Sequence, residues 1–397
     1  MEFEMSAVNR AWVAAILGMA FIHTASGATA CSAAGSTFKA ESSSYHQQFV
    51  AVADGVRLEV LDWGGTGRPL VLLAGLGNTA HVFDSIAPEL ARHFHVYGIT
   101  RRGFGASSVP KNGYGADQLA DDVMAVVKAL GIDRPIIAGH SIAGEELSAI
   151  GTHYQGKIAG LIYLDAAHEY AIYDPARGAY HPDLSHLSAQ ISRMHDDPTD
   201  KAQMTKLLND VNVLQRSLGS ELAGVAADDA STTGAPPSGP TPKELASFPA
   251  FRCFVSAQLG GVIPEDEIRQ TIATGARGVV GDQKAPAFVY NAILEGQERF
   301  HAPNVPILDI VPVPRTSDLP VGTDEAKRQA ADAMHTRTQE QEIATLLRQQ
   351  TSAKIVRIPH GHHFVFLSNP AEVVDAITKF GEQLPWIRSQ PVSAGGL

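Results

Sequence analysis

The sequence predicts an α/β protein built on a mostly parallel central sheet that helices flank on both faces. Short apolar runs, such as residues 68–77, have the length and composition of buried strands. They alternate with segments whose apolar residues recur at helical spacing, such as residues 115–131. Strands that are apolar throughout are typical of parallel sheets covered by crossover helices.

The composition agrees with one large domain that contains an insertion, or with two small domains. The chain has 397 residues, of which 44% are hydrophobic and 18% charged, so a sizeable core can form. The net charge is −11 and no long basic run occurs, which argues against nucleic acid as a partner. The two cysteines, Cys31 and Cys253, are too few for a disulfide scaffold and lack metal-site spacing.

The N-terminus has the features of a secretory signal peptide. Residues 11–22 are apolar and follow Arg10, and the small residues Ala28 and Ala30 come next. A membrane span needs about 20 apolar residues, so this run is too short for one. We therefore expect residues 1–30 to be removed and the protein to be periplasmic or secreted, with no stable membrane span. Cleavage after Ala30 leaves Cys31 open to lipid attachment, to pairing with a second cysteine, or to remaining free.

The first part of the sheet is predicted for residues 46–167, after a small, polar linker at residues 31–45. It begins with a hairpin, because Asp54-Gly55 separates two strand-like runs. Further strands are predicted at residues 68–77, 94–100, 134–139 and 158–167, and helices at residues 115–131 and 142–154.

The alternation of strands and helices stops after Ala167. Residues 168–304 contain helical patterns and no apolar strand, so we expect a largely helical cap inserted after the sixth strand. Within it, residues 227–244 are of low complexity and predict a loop. Residues 305–390 are predicted to complete the core, with strands at 305–313 and 353–359 and helices at 324–350 and 370–384.

Ser141 stands where an apolar strand meets a helix, in the sequence Gly139-His140-Ser141-Ile142-Ala143. A nucleophilic serine on a strained strand-to-helix turn needs small residues two positions before and after it. Gly139 meets this need, and Ala143 adds only a methyl group where the motif has its second glycine. The motif alone is weak evidence, and on its own it is more typical of a plain turn serine. The loop, histidine and acid described next favour a nucleophile elbow.

A glycine-containing loop after the strand at residues 68–77 is the candidate oxyanion hole. Gly75 and Gly77 flank Leu76, whose backbone N–H can lie beside that of Ile142. Two such donors stabilise a developing oxyanion, and the loss of one typically costs about 3 kcal/mol.

A base for Ser141 is available near the C-terminus. His360, His362 and His363 follow the last predicted strand, and a histidine in such a loop can reach back to take the serine proton. At most one of the three serves as this base.

An acid that orients the histidine has three candidates. Asp165 and Asp318 lie at the carboxyl ends of predicted strands, where the sites of open α/β sheets form. Asp309 lies early in its strand, so we expect it to be inside the sheet.

Five segments, in their order along the chain, resemble the α/β-hydrolase superfamily over residues 47–167 and 305–385. They are LVLLAGLG, ITRRGFGASSVP, IIAGHSIAGEE, GLIYLDAA and IPHGHHFVFLSNP. The resemblance implies that Ser141 is the nucleophile and that Leu76 and Ile142 supply the oxyanion hole. The family's histidine precedes an aromatic and an apolar residue, which His363 fits better than His362.

The chain departs from the family at the usual position of the acid, which we align with Arg315. The resemblance to haloalkane dehalogenases of the same superfamily implies an acid at the end of the preceding sheet strand, which is Asp165. Asp318 remains the alternative. Ser141 stands where dehalogenases and epoxide hydrolases need an aspartate nucleophile, which argues against both activities.

Together these features predict a serine hydrolase that cleaves a carboxylic ester through an acyl-enzyme, with Ser141, His363 and Asp165 as its triad. The expected substrate is a small-molecule ester, and neither a metal nor an organic cofactor is implied. A peptidase or amidase, a carbon–carbon hydrolase and a non-catalytic, hydrolase-like binding protein remain open. The sequence predicts neither the substrate's identity nor the oligomeric state.

Overall fold

The structure, a computed structural model, describes residues 44–194, 204–218, 240–275, 279–315 and 325–385. The predicted signal peptide, Cys31 and Asp318 lie outside the described residues, as does most of the predicted linker and of the low-complexity loop.

An eight-stranded sheet has the strand order β1-β2-β4-β3-β5-β6-β9-β10. Its first two strands form the hairpin predicted at Asp54-Gly55, and β2 also runs antiparallel to β4. The remaining pairs are parallel, which confirms the mostly parallel sheet. The strands are β1 (His46–Ala53), β2 (Val56–Gly64), β3 (Arg68–Leu73), β4 (Phe94–Ile99), β5 (Ile136–His140), β6 (Gly160–Leu164), β7 (Ile272–Thr274), β8 (Val280–Gln283), β9 (Ile307–Val311) and β10 (Lys354–Arg357).

Helices cover both faces of this sheet. The helices of the described residues are α1 (Ala87–Leu90), α2 (Ala116–Ala129), α3 (Ala143–His153), α4 (Tyr180–Met194), α5 (204–218), α6 (Pro242–Leu245), α7 (Phe248–Gln258), α8 (Glu265–Thr271), α9 (Ala287–Glu295), α10 (Glu325–Gln349), α11 (Val365–Ser368) and α12 (Pro370–Gln383). A 3-10 helix spans Ala80–Phe83 and another spans Gln155–Lys157.

The strands β3, β5, β6 and β9 bury both of their faces, as mostly apolar strands require. On β3, Leu70 and Leu72 belong to one buried cluster, which includes residues of α1 and α12. Val71 and Leu73 point to the opposite face, into a second cluster with residues of α2 and α3. Because β3, β4, β5, β6, β9 and β10 run parallel to one another, their carboxyl ends and the loops that follow them meet at one edge.

Between β6 and β9 the chain forms helices and one short hairpin. The hairpin strands β7 and β8 pair with each other and form a separate two-stranded sheet. These two strands were not predicted for residues 168–304, because only Ile272 and Val280 in them are buried and they form no apolar run. Cys253, on α7, is disulfide-bonded. Within the described ranges, no helix is both long and apolar enough to cross a membrane.

Candidate active site

Ser141 occupies a tight turn between β5 and α3. Its φ of 54° lies in the left-handed region, which is costly for a residue with a side chain. Gly139, two residues earlier, leaves room for the helix: a Cβ there would lie 3.0 Å from the Cβ of Ala143. Ala143 therefore fits the turn because Gly139 has no side chain.

Gly144 provides the close approach of α3 to the end of β6. A Cβ at this position would lie 1.9 Å from the carbonyl oxygen of Ala166, a backbone atom that cannot rotate away.

We expect Gly144→Ala to lower the free energy of unfolding by about 3 kcal/mol, since overpacking forces the backbone to shift. Urea denaturation measures this change. The control Ala143→Gly should change stability by at most about 1 kcal/mol, and equal stability of both variants would contradict the packing described.

The loop of residues 74–79 passes directly over the Ser141 turn. A Cβ on Gly75 would lie 2.9 Å from Nδ1 of His140 and 3.3 Å from the Cβ of Ser141. Leu76, the next residue, packs against the apolar cluster that contains Ile142. The structure thus brings together the two segments whose backbone N–H groups are the candidate oxyanion donors.

Asp165 and His363 form a hydrogen-bonded pair beside this turn. His363 Nδ1 lies 2.7 Å from Oδ2 of Asp165 and donates to it. Asp165 follows β6 directly, is 1% exposed, and has a φ of 44°. Its backbone N–H donates to the carbonyl of Ile310 at 2.8 Å, which fixes the strand end.

The electrostatics of this pair suit a histidine base. Burial lowers the pKa of His363 below its ordinary value, and the hydrogen bond to Asp165 offsets this only in part. Burial opposes ionisation of Asp165, but the hydrogen bond from His363 outweighs it and lowers the pKa of Asp165. Near neutral pH the histidine is therefore neutral and the aspartate ionised. Because Nδ1 carries the donated proton, Nε2 holds the free lone pair.

His140 links the Ser141 turn to the loop of His363. The ring centroids of the two histidines are 4.6 Å apart, and His140 Nε2 donates to the His363 carbonyl at 3.1 Å. Burial lowers the pKa of His140 well below its ordinary value, so it remains a neutral donor. The elbow and the histidine loop are thus joined through a residue that the sequence analysis had not considered.

The alternative candidates occupy other places. His362 faces the inserted segment, since a Cβ on Gly260 would lie 2.1 Å from its ring. His360 is exposed, and its backbone N–H donates to the carbonyl of Pro314 at 2.7 Å. Asp309 lies inside the sheet as expected, and burial raises its pKa to about 8. Among the described residues, Asp165 is the acid that His363 contacts.

Further side chains, half-buried or buried, support the Asp165 strand end and were not predicted from the sequence. His168 Nε2 donates to the carbonyl of Asp165 at 3.0 Å, and its Nδ1 lies 3.3 Å from Oε2 of Glu342. Although burial opposes it, the charge of Glu342 raises the pKa of His168 to about 10. The ring of Tyr170 lies beside that of His168, with centroids 5.4 Å apart. His168 and Glu342 are separated by 174 positions, so no local pattern could have signalled their contact.

Two groups of side chains at this site have the ligand types and spacing of metal sites. Asp165, His168 and His363 form one group, and His168, Glu169 and Glu342 the other, with ligand atoms within 4.8 Å of one another. The hydrogen bonds from His363 and His168 to Asp165 account for the first arrangement without an ion.

Comparisons with known proteins agree with this architecture. A family model for the alpha/beta hydrolase fold matches residues 68–224. The N-formylmaleamate deformylase of Pseudomonas putida is 37% identical over 91 residues, which are 23% of this chain and 34% of that protein. The non-heme haloperoxidase of Rhodococcus erythropolis is 32% identical over 120 residues, which are 30% of this chain and 43% of that protein.

The crystal structure of E-2-(acetamidomethylene)succinate hydrolase superposes with a TM-score of 0.52 and 16% identity, covering 85% of this chain and all of that one. At this identity the likeness concerns the fold alone. The chain spans between a third and a half of the curated relatives' lengths, at 51%, 34% and 39%. The architecture and the family match show that this protein has the α/β-hydrolase fold.

Proposed function

We propose that the protein is a serine hydrolase that cleaves a carboxylic ester of a small molecule. The observation that supports this most is the 2.7 Å hydrogen bond between His363 Nδ1 and Asp165, beside the strained turn at Ser141. A neutral histidine held by an ionised aspartate is the base that a serine nucleophile needs.

In the proposed mechanism, Nε2 of His363 takes the hydroxyl proton of Ser141 while the serine oxygen attacks the ester carbonyl. The backbone N–H groups of Leu76 and Ile142 donate to the carbonyl oxygen as it becomes negative. Asp165 stabilises the imidazolium that forms. The imidazolium then gives its proton to the leaving alcohol, which departs and leaves the acyl group on Ser141.

Deacylation repeats these roles with water. His363 takes a proton from the water, whose oxygen attacks the acyl carbon, and returns the proton to Ser141 as the acid product leaves. The buried, fixed position of Asp165 supports this cycle because the imidazole keeps one orientation through both halves.

Cleavage of an amide-type bond is the second candidate. It uses the same residues, and one curated relative of this chain is named a deformylase. Carbon–carbon bond hydrolysis also needs only these parts, and no observation on the site favours it over the other two.

A fluorophosphonate probe tests the proposed nucleophile. We expect the folded protein to be labelled at a single position, which peptide mass spectrometry identifies as Ser141, because the probe reacts only with an activated hydroxyl. Heat-denatured protein is the control and should remain unlabelled. Absence of labelling in well-folded protein would favour a non-catalytic, hydrolase-like binding protein.

A substrate panel then separates the two candidate reactions. p-Nitrophenyl esters of rising acyl length, assayed beside aminoacyl anilides, report both the bond that is cleaved and the size of the acyl pocket. Faster turnover of the anilides would overturn the ester assignment while leaving the nucleophile in place.

A further inference from the structure

We propose that Glu267, on α8 of the inserted segment, is a positioning residue that holds the loop of residues 74–79 in the geometry of an oxyanion hole. This inference rests on the proposed function. It assigns to a residue outside the sheet the task of fixing the backbone that carries Leu76.

The contacts between Glu267 and the loop are numerous and directed at its carboxylate. Asn78 Nδ2 donates to Oε1 at 3.0 Å. The backbone N–H of Thr79 lies 3.1 Å from Oε1 and 3.2 Å from Oε2, and the Thr79 hydroxyl donates to Oε2. Glu267 itself is 0% exposed, so water offers it no substitute donors.

These contacts act on the part of the loop that faces Ser141. The backbone N–H of Asn78 donates to the carbonyl of Gly75 at 3.2 Å, closing a turn around Leu76. Gly75 lies against the Ser141 turn, since a Cβ on it would be 3.3 Å from the Cβ of Ser141. A shift of Asn78 or Thr79 therefore moves the Leu76 N–H relative to the reacting carbonyl, and a displacement of this kind weakens oxyanion stabilisation.

The opposite side of the loop has its own support. Arg101 donates to the carbonyls of Ala74 at 2.8 Å and Gly75 at 3.3 Å, and its Nε donates to Glu146. Arg101 holds the start of the loop, while Glu267 holds its end. The Leu76 segment between them is thus fixed from two sides, one of which belongs to the inserted segment.

The charge state of Glu267 decides how well it holds the loop. Every group that contacts its carboxylate is a donor, so the ionised form accepts all of these bonds. A protonated carboxyl group has a proton of its own to donate, which disrupts at least one of them. Burial raises the pKa of Glu267 to about 7, although Thr79 and Asn78 partly oppose the rise.

Two ionisable side chains that interact with Glu267, those of His81 and Tyr290, do not titrate in the same range. His81 lies on the adjacent 3-10 helix, and despite its burial Asp84 and Glu59 raise its pKa to about 10, so it stays cationic. Tyr290, on α9, has its pKa raised by burial and then by the charge of Glu267, so it stays neutral. A change near pH 7 in the hydrogen bonding that holds the loop of residues 74–79 is therefore assigned to Glu267.

The test is the variant Glu267→Gln, which keeps the size of the side chain and resembles the protonated carboxyl group. At pH 8 we expect kcat for the best p-nitrophenyl ester to fall by about 10- to 100-fold, less than the ~10²–10³-fold loss of a whole oxyanion donor. KM should change by less than about threefold, since the oxyanion forms only in the transition state.

The pH profile distinguishes positioning from a general structural role. The ratio of wild-type to variant kcat should be largest at pH 8 and approach one below pH 6, where wild-type Glu267 is protonated too. The control Glu265→Gln alters an exposed partner of Arg269 on the same helix and should stay within about twofold of wild type. A constant ratio from pH 6 to 8, or a change confined to KM, would overturn the inference.

A second variant keeps the test informative if Glu267→Gln folds poorly. Asn78→Ala removes one donor from the loop side, so it should by itself lower kcat at pH 8 with little change in KM, and an unchanged kcat would contradict the proposal. Where Glu267→Gln does fold, combining the two changes should add little further loss of kcat, because both act through one contact. If the loss of kcat in the double variant equals the product of the two single losses, the proposal is contradicted. If wild-type protein neither reacts with the fluorophosphonate nor turns over esters, the proposed function fails. If it does both, and the ratio of wild-type to Glu267→Gln kcat does not change with pH, only the positioning role fails.

Discussion

Replacing Ser141 with alanine is expected to lower kcat by roughly 10⁶-fold, the size of loss seen when a triad nucleophile is removed. Alanine has no oxygen that can attack the carbonyl. Only direct attack by water then remains for the N–H donors of Leu76 and Ile142 to assist. Ser141 is half-buried in a turn, so we expect the substitution to have little effect on folding. Initial rates with the best p-nitrophenyl ester, together with fluorophosphonate labelling, measure the loss.

Ser352→Ala is the matched control for this substitution, since Ser352 is exposed in the turn before β10. It should keep wild-type turnover and labelling. If Ser141→Ala retains more than about one hundredth of the wild-type rate, well above the residual activity typical of such variants, Ser141 is not the nucleophile.

Asp165→Asn is expected to lower kcat by about 10⁴-fold while leaving the fold intact. An asparagine side chain presents an amide that can donate to Nδ1 of His363, which favours the tautomer whose Nε2 carries the proton. That nitrogen then cannot take the proton of Ser141. The variant's kcat at pH 8, with circular dichroism as a check on folding, measures the effect.

Asp309→Asn is the control that isolates this role. Asp309 is also buried, on β9 beside the edge strand β10, and burial raises its pKa to about 8, so at neutral pH it is largely a neutral acid that asparagine resembles. We expect its kcat to remain within about threefold of wild type, as for a change that leaves the transition state alone. Asp318→Asn tests the alternative acid: loss of activity there, with Asp165→Asn active, would contradict the assignment.

The sheet could be predicted from the sequence because its signals are local. The strands β3, β5 and β6 are short apolar runs with both faces buried, and α2 and α12 show helical spacing beside them. Ser141, Asp165 and His363 could be proposed for a related reason. Each follows the end of a strand or lies in a loop after one, and the strand order of the family brings those ends together.

The supporting residues were not predictable, since their contacts join distant segments. Glu267 reaches Asn78 across 189 positions, and nothing around either residue marks the pairing. No role could be predicted for His140, because the motif allows any residue at its position. The hairpin of β7 and β8 was missed for a different reason: its strands are short and mostly exposed, so they lack the apolar run that marks a strand.

The positive φ angles at the site have a consequence for attempts to make this protein more heat-resistant. Ser141, Asp165 and His360 have φ values of 54°, 44° and 60°. Holding a side-chain-bearing residue there costs roughly 1–3 kcal/mol, a cost that glycine would largely remove. Variant libraries screened for thermal tolerance alone will therefore tend to enrich glycine at Ser141 and Asp165, the positions proposed for the chemistry. Engineering of this scaffold should score turnover in every round, and begin its stabilising changes on surfaces away from the strand ends.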